Sequence, residues 1–262
     1  MPSGKQSKRK RRAAEAPPPP RARGARRQAS PRVLGAAAAI IALVVVGIIL
    51  GVVFIGGGSS SANTPAAKLP DAADVQQLLA GIPQRGNVLG KASAPVTMVE
   101  YVDLQCPFCQ QFETAALPTL ISKYVRTGKL RVEARIVAFI GPDSLSGRNA
   151  ALAAGLQNKL FNFGQLLYDN QGTENTGWLN DSMVKSAAAS IPGLDTARLL
   201  SDSNSSAVAD QAKAVDAQAS SQSVKATPTI FVGKSGSTPA LVTLTSPSDE
   251  STVAAAIDAA LR

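Results

Sequence analysis

The chain has no histidine in its 262 residues, two cysteines and one tryptophan. Without histidine there is no Cys-His pair, no Ser-His-Asp triad and no imidazole to hold copper. Two thiols helped only by carboxylates make a poor tetrahedral zinc site, so neither a metal nor a cofactor is expected. Charge is scarce as well, at 17%, and it is unevenly placed. Residues 1–32 hold 11 of the 27 Lys and Arg and one of the 18 Asp and Glu, which leaves 16 against 17 for residues 33–262. A nucleic-acid-binding protein would carry its basic surface on the fold itself. Here the excess belongs to a Pro- and Ala-rich tail, and no nucleic-acid partner is expected.

That tail, with Lys8-Arg9-Lys10-Arg11-Arg12 and Pro17 to Pro20, reads as disordered. Residues 33–55 carry no charge and consist of Ala, Val, Ile, Leu, Gly and one Phe. As a helix this stretch would be about 35 Å long, enough to cross a bilayer once. Positive charge lies on its N-terminal side only, so the tail is expected in the cytoplasm and the bulk of the chain outside, where thiols meet an oxidising compartment. A secretory signal cleaved near Ser60-Ser61-Ala62 and a twin-arginine signal at Arg26-Arg27 are the alternatives. Residues 56–70 read as a flexible Gly/Ser/Ala/Pro linker, and residues 71–262 as one domain.

Both cysteines fall in Cys106-Pro107-Phe108-Cys109, after the apolar run Val96–Val102 and before a helical pattern. Cys106 is placed at a helix N-cap and Pro107 at the first helical position, where a missing N–H costs nothing. The free N–H groups and dipole of the helix N-terminus then favour a thiolate at Cys106. Side chains three apart share a helix face, close enough for a short-loop disulfide. The pattern points to a redox-active pair; an inert disulfide or two unrelated buried thiols is the alternative.

Around this motif the periodicity predicts a helix over residues 71–81, a short strand at 87–90 and the strand Val96–Val102. The cysteine helix runs to a stop at Gly128, and a strand follows over 130–139. One long helix, capped by Asp143 or Ser144, presents Leu152, Leu156, Leu160, Phe163 and Leu167. Helices starting at Asp181 and Asp195 come next, then the stripe Val208, Ala212, Val215, Ala219. Strands over 229–232 and 240–244 precede a last helix from near Ser246-Pro247. These helical stripes are assigned to core packing, and Asp103 to a surface or turn position.

This order, with Val99-Glu100-Tyr101-Val102-Asp103-Leu104-Gln105-Cys106-Pro107-Phe108-Cys109 and the later Val224-Lys225-Ala226-Thr227-Pro228-Thr229-Ile230-Phe231-Val232, resembles the DsbA-like branch of the thioredoxin superfamily over residues 87–262. The resemblance implies an α/β thioredoxin-like fold with an inserted helical subdomain at about 144–222, here preceded by a single transmembrane helix. It implies a protein thiol–disulfide oxidoreductase with Cys106 as the exposed nucleophile and Cys109 as the buried resolving cysteine. It also implies Pro228 as a cis-proline beside the thiols and Glu100 as a buried carboxylate beneath Cys109. Thr227, Pro107 and Phe108 are the residues implied to meet substrate. A trans Pro228 opening a strand and a solvent-facing Glu100 are the alternatives. The implied partners are exported cysteine-containing proteins and a quinone-linked membrane oxidase of the DsbB or VKOR-like kind. Phe108 stands where strong oxidants of the family carry histidine. The direction of the chemistry therefore divides between oxidation, which the outside location favours, and reduction or isomerisation. A tethered peptide-binding module with a structural disulfide is the reading from another class.

Overall fold

The computed structural model describes residues 67–262. The basic tail 1–32, the apolar span 33–55, the signal-cleavage alternatives and the linker up to residue 66 lie outside the described residues. Among the described residues no helix is long and apolar enough to cross a membrane.

A six-stranded sheet carries the domain, in the order β1-β2-β4-β3-β5-β6. The strands are β1 (Gln84–Arg85), β2 (Val88–Leu89), β3 (Val96–Val102), β4 (Leu130–Ile136), β5 (Thr229–Lys234) and β6 (Ala240–Val242). β3 lies at the centre, parallel to β4 and antiparallel to β5, and all seven of its residues are buried. A strand covered on both faces by helices reads as an unbroken apolar run. Its alternate side chains serve two separate cores. Val96, Met98 and Val102 face the larger one, whereas Val99 and Tyr101 meet Val215, Ala219, Val224 and Phe231 on the other side. By this alternation Glu100 points into the larger core, which is also where both cysteines lie.

The helices are α1 (Ala72–Leu79), α2 (the cysteine helix, beginning with Pro107–Gln111), α3 (Pro142–Leu156), α4 (Leu160–Asp169), α5 (Asp181–Ser190), α6 (Thr196–Asp202), α7 (Ser206–Ser221) and α8 (Glu250–Leu261). α2 continues through two wider, π-helical stretches, Phe112–Ala116 and Ile121–Val125, on either side of Leu117–Leu120. Pro118 supplies no N–H and crowds the carbonyl one turn back, a known cause of such widening. α3 to α7 form the inserted block between β4 and β5. α8 is capped by Asp249, whose carboxylate accepts from Thr252 N at 3.0 Å, and this replaces the start expected near Ser246-Pro247.

Three further expectations need correction. The long helix is two, α3 and α4, because Asn158 between them takes a left-handed φ of 58°, a conformation asparagine tolerates, and its side chain accepts from Gly86 N. The first of these helices begins at Pro142 rather than at an Asp143 or Ser144 cap, since both side chains point elsewhere, Asp143 to Gly177 N and Ser144 to Asp103. β4 stops at Ile136, short of Phe139, because the N–H groups of Phe139 and Ile140 leave the ladder to donate to the Asp103 carboxylate. β1, only two residues long, had no periodic signal to find.

Candidate active site

Cys106 is the N-cap of α2 with extended backbone, and Pro107 is its first residue. The strand–nucleophile–helix placement thus falls as the spacing predicts. The loop that delivers Cys106 from β3 is held from several sides. Asp103 accepts four hydrogen bonds through its carboxylate, from Gln105 N (2.9 Å), Ser144 Oγ (2.7 Å), Phe139 N (2.7 Å) and Ile140 N (3.1 Å). Its carbonyl accepts from Cys106 N and from the Tyr168 phenol. Asp103 is a turn residue, as read, but it is wholly buried and not on the surface. Four donors are what allow a carboxylate to sit there.

The inserted helices add the rest of the clamp. Gln171 donates to the carbonyls of Leu104 (2.9 Å) and Cys106 (3.2 Å), and the Gln105 side chain reaches both Ser144 Oγ and the backbone N of Asn175. The sequence offers Ser144 only as a helix cap and gives no sign of Tyr168, or of Gln171 and Asn175 in the segment that follows α4. They meet the cysteine loop across separations of 39 to 70 residues, which no local pattern records.

Both thiols are free and they differ sharply. Cys109 has no accessible surface and Cys106 retains 5%. The exposed nucleophile implied by the family resemblance is therefore mostly covered. It sits in the angle between the start of α2 and the Thr227 carbonyl, to which its Sγ donates at 3.3 Å. The Thr227–Pro228 peptide is cis, which replaces the trans alternative and brings that carbonyl onto Cys106. Phe108 projects outward, 54% exposed.

Ionisation separates the two sulfurs further. The Cys106 thiol is lowered to about 6, first by a hydrogen bond from the Cys109 thiol, against a counteracting burial, and then by Thr227 and the backbone N–H groups of Cys109 and Phe108. The free donors of the first helical turn thus act on Cys106 even though residue 108 brings no charge of its own. Cys109 goes the other way. Burial pushes it well above the usual thiol range, and the neighbouring Cys106 adds to this.

Glu100 is buried, which removes the solvent-facing alternative, and burial pushes its carboxyl up to about 8. No hydrogen bond joins it to Cys109 among the described residues. It opens instead onto a small internal cavity shared with Glu113 and Tyr168. Glu113 went unnoticed in the sequence, yet a signal was there. It lies four residues after Cys109, a charged side chain on the stripe Cys109, Phe112, Ala116, Leu117, Leu120 that is otherwise apolar. Among the described residues no cluster of acidic, cysteine or histidine side chains is arranged to hold a metal.

A nucleophile of low pKa over a buried partner of high pKa, against the Thr227 carbonyl that precedes a cis-proline, is arranged to exchange disulfides. Residues 84–259, well over half of the chain, match the family model described as Thioredoxin. Disulfide bond formation protein D of Bacillus subtilis is 28% identical over 167 residues, 62% of this chain and 72% of that protein. The fold matches the crystal structure of oxidised BdbD from Bacillus subtilis with a TM-score of 0.59 at 22% identity, over 69% of this chain and 97% of that one. It matches Pseudomonas aeruginosa DsbA2 with a TM-score of 0.53 at 26% identity, over 68% and 95% of the two chains. With the motif, the fold and the thiol asymmetry in agreement, the chain belongs to the thioredoxin family and is a DsbA-like thiol–disulfide oxidoreductase.

Proposed function

We propose that this protein oxidises cysteine pairs in exported proteins, outside the cytoplasmic membrane, to which residues 33–55 anchor it. The observation that carries this reading is the split between Cys106, lowered to about 6, and Cys109, held well above the ordinary thiol range. A thiolate of low pKa is a good leaving group, and an ionised Cys106 stabilises the reduced pair at neutral pH, which makes the disulfide the more oxidising. The name of the Bacillus subtilis relative agrees with this direction.

A substrate thiolate attacks Cys106 in the Cys106–Cys109 disulfide. The S–S bond breaks, Cys109 leaves as a thiolate and takes up a proton, and a mixed disulfide remains on Cys106. A second substrate thiolate attacks the substrate sulfur of that bond and expels Cys106 as a thiolate. Two electrons have passed from substrate to enzyme. The Thr227 backbone beside cis-Pro228 meets an extended substrate next to Cys106, and Pro107 and Phe108 form the apolar lip. Beyond Thr227 a groove of about 510 Å³ is lined by the exposed Phe139 and Leu145 together with Val224, Lys225 and Arg148. Repeated turnover needs an electron acceptor for the reduced pair, and a quinone-linked membrane oxidase of the DsbB or VKOR-like kind fits the anchored arrangement.

The test is trapping. Cys109→Ser in the full chain should accumulate reducible mixed disulfides with exported cysteine proteins through Cys106, and the isolated protein should show a thiolate titrating near pH 6. A reduction potential as low as that of a cytosolic reductase would assign the opposite direction. A protein that traps no client would be a binding module with a structural disulfide.

A further inference from the structure

A second opening adjoins Cys106 and shares no residue with the groove beyond Thr227. This cleft, of about 530 Å³, starts at Pro107 and runs between Gln110 on α2 and the segment Gln171, Gly172, Thr173 and Glu174 that follows α4. Its wall is set by the fold. Gly172 packs so closely on Trp178 that a Cβ there would stand 2.7 Å from Trp178 Cβ. Further along, Asn175 N and Gly177 N donate to Gln105 Oε1 and to the Asp143 carboxylate.

The cleft offers acceptors rather than donors. Gln171 commits its amide N–H groups to the carbonyls of Leu104 and Cys106, and Gln110 donates to the carbonyl of Tyr168 at 2.9 Å. The amide oxygens of Gln110 and Gln171 are left with no donor among the described residues. Among the described residues Glu174 is the one charged side chain lining the cleft, and no lysine or arginine pairs with it. The charges that act on Asp169, two residues before Gln171, have the same sign. Burial raises the Asp169 carboxyl and a hydrogen bond from Gln165 lowers it, with Asp71 and Asp74 raising it further. By contrast, the groove beyond Thr227 carries Lys225 and the Arg148–Asp216 pair.

We propose that this cleft is a subsite for a lysine or arginine side chain of the client, close in sequence to the cysteine that Cys106 engages, with Glu174 as its specificity-determining residue. The inference rests on exchange at Cys106 with protein clients and names the clients it prefers. A cation with several N–H donors fits a cleft of one carboxylate and two open amide oxygens, whereas an acidic side chain meets Glu174 and finds no donor. An extended client advances about 3.3 Å per residue, so a long side chain about two or three positions from its cysteine reaches a cleft that begins beside Cys106. Glu174 is exposed, and an exposed ion pair contributes modestly. The subsite therefore chooses among clients and does not drive the exchange.

Reduced full-length protein can be offered short peptides whose cysteine is capped as a 2-thiopyridyl disulfide. The Cys106 thiolate attacks the peptide sulfur, the S–S bond breaks and coloured thiopyridone leaves, whichever direction the protein serves with its clients. Peptide pairs differ only in Lys or Glu, placed at successive positions before and after the cysteine. Each Lys-to-Glu rate ratio is divided by the ratio that the same pair gives with glutathione, which removes the peptides' own reactivity. At low ionic strength one position should favour Lys roughly fivefold, through half-saturation rather than the limiting rate, and the preference should shrink at about 0.5 M salt. Glu174→Gln should bring the ratio close to one, Glu174→Lys should reverse it, and Thr173→Glu should raise it. A wild-type ratio within about twofold of one at every position would overturn the subsite, as would a preference for Lys that persists in Glu174→Lys. A wild-type protein that releases no thiopyridone would overturn exchange at Cys106 and the subsite with it.

Discussion

Asp103 and Glu100 stand three residues apart at the end of β3, both out of contact with water, and the fold treats them in opposite ways. Asp103 accepts four hydrogen bonds through its carboxylate and ties β3, the loop after β4 and the start of α3 to one point. Glu100 has an oxygen with no donor and shares its cavity with a second acid. The first arrangement, with four donors around one carboxylate, fixes geometry. The second suits a carboxyl whose charge is not permanent, because a buried acid without donors is stable only while it keeps its proton. Two acids of like burial are thus held differently, one by its donors and the other by the proton it retains.

Breaking the first member of this comparison should have the largest effect. Asp103→Ala takes the acceptor from the buried Gln105 N–H and Ser144 hydroxyl and from the partly buried backbone N–H groups of Phe139 and Ile140. At roughly 1–3 kcal/mol for an unsatisfied buried group, with partial relief by relaxation, the loss should be on the order of 4 kcal/mol. The denaturant midpoint would report it. The Cys106 thiolate titration should rise towards the ordinary thiol value as the loop loosens. A loss below about 1 kcal/mol would mean that the four donors find water instead, and the contrast with Glu100 would vanish.

The second member should respond through pH. The Glu100 carboxyl keeps its proton to about pH 8 in the native state and releases it near 4.5 when unfolded. The native state thus binds more protons between those values. Its contribution to stability is complete below pH 4.5 and is lost as pH rises towards 8, with a slope of up to roughly 1.4 kcal/mol per pH unit. Glu100→Gln should be close to wild type at pH 5 and more stable than wild type at pH 8, measured by denaturant titration at each pH. If the two proteins kept the same difference at every pH, Glu100 would not be holding an extra proton in the native state, and the contrast with Asp103 would fail.

How far the sequence foretold this contrast depends on the range of the interactions. Cys106 at a helix N-cap, Pro107 at the first position and the strand Val96–Val102 are local facts written in adjacent residues, and the structure places them as read. The capping of α6 by Asp195 is of the same kind. Glu113 was legible in principle, from helical spacing alone. The role of Asp103 was not, because its partners Phe139, Ile140 and Ser144 lie 36 to 41 residues away and come together only when α3 docks. The same docking shortened β4, moved the start of α3 and gave Ser144 a task other than capping. Periodicity can place a residue on a face, but it cannot say what the facing element will donate.

The smallest of these tests asks how that docking divides among its contacts. Ser144 Oγ gives one of the four hydrogen bonds to Asp103 and accepts one from the Gln105 amide, whereas Phe139 N and Ile140 N are backbone donors that no substitution but proline removes. Ser144→Ala leaves three donors on Asp103 and returns Gln105 to its contacts with Asn175. It should cost about 1 kcal/mol by denaturant titration. The Cys106 titration should stay at its wild-type value, since none of the groups that lower the Cys106 thiol is touched. A shift of the thiolate titration in Ser144→Ala comparable to that in Asp103→Ala would move the control of Cys106 from the carboxylate to α3, and the inserted helices would then be part of the active site in their own right.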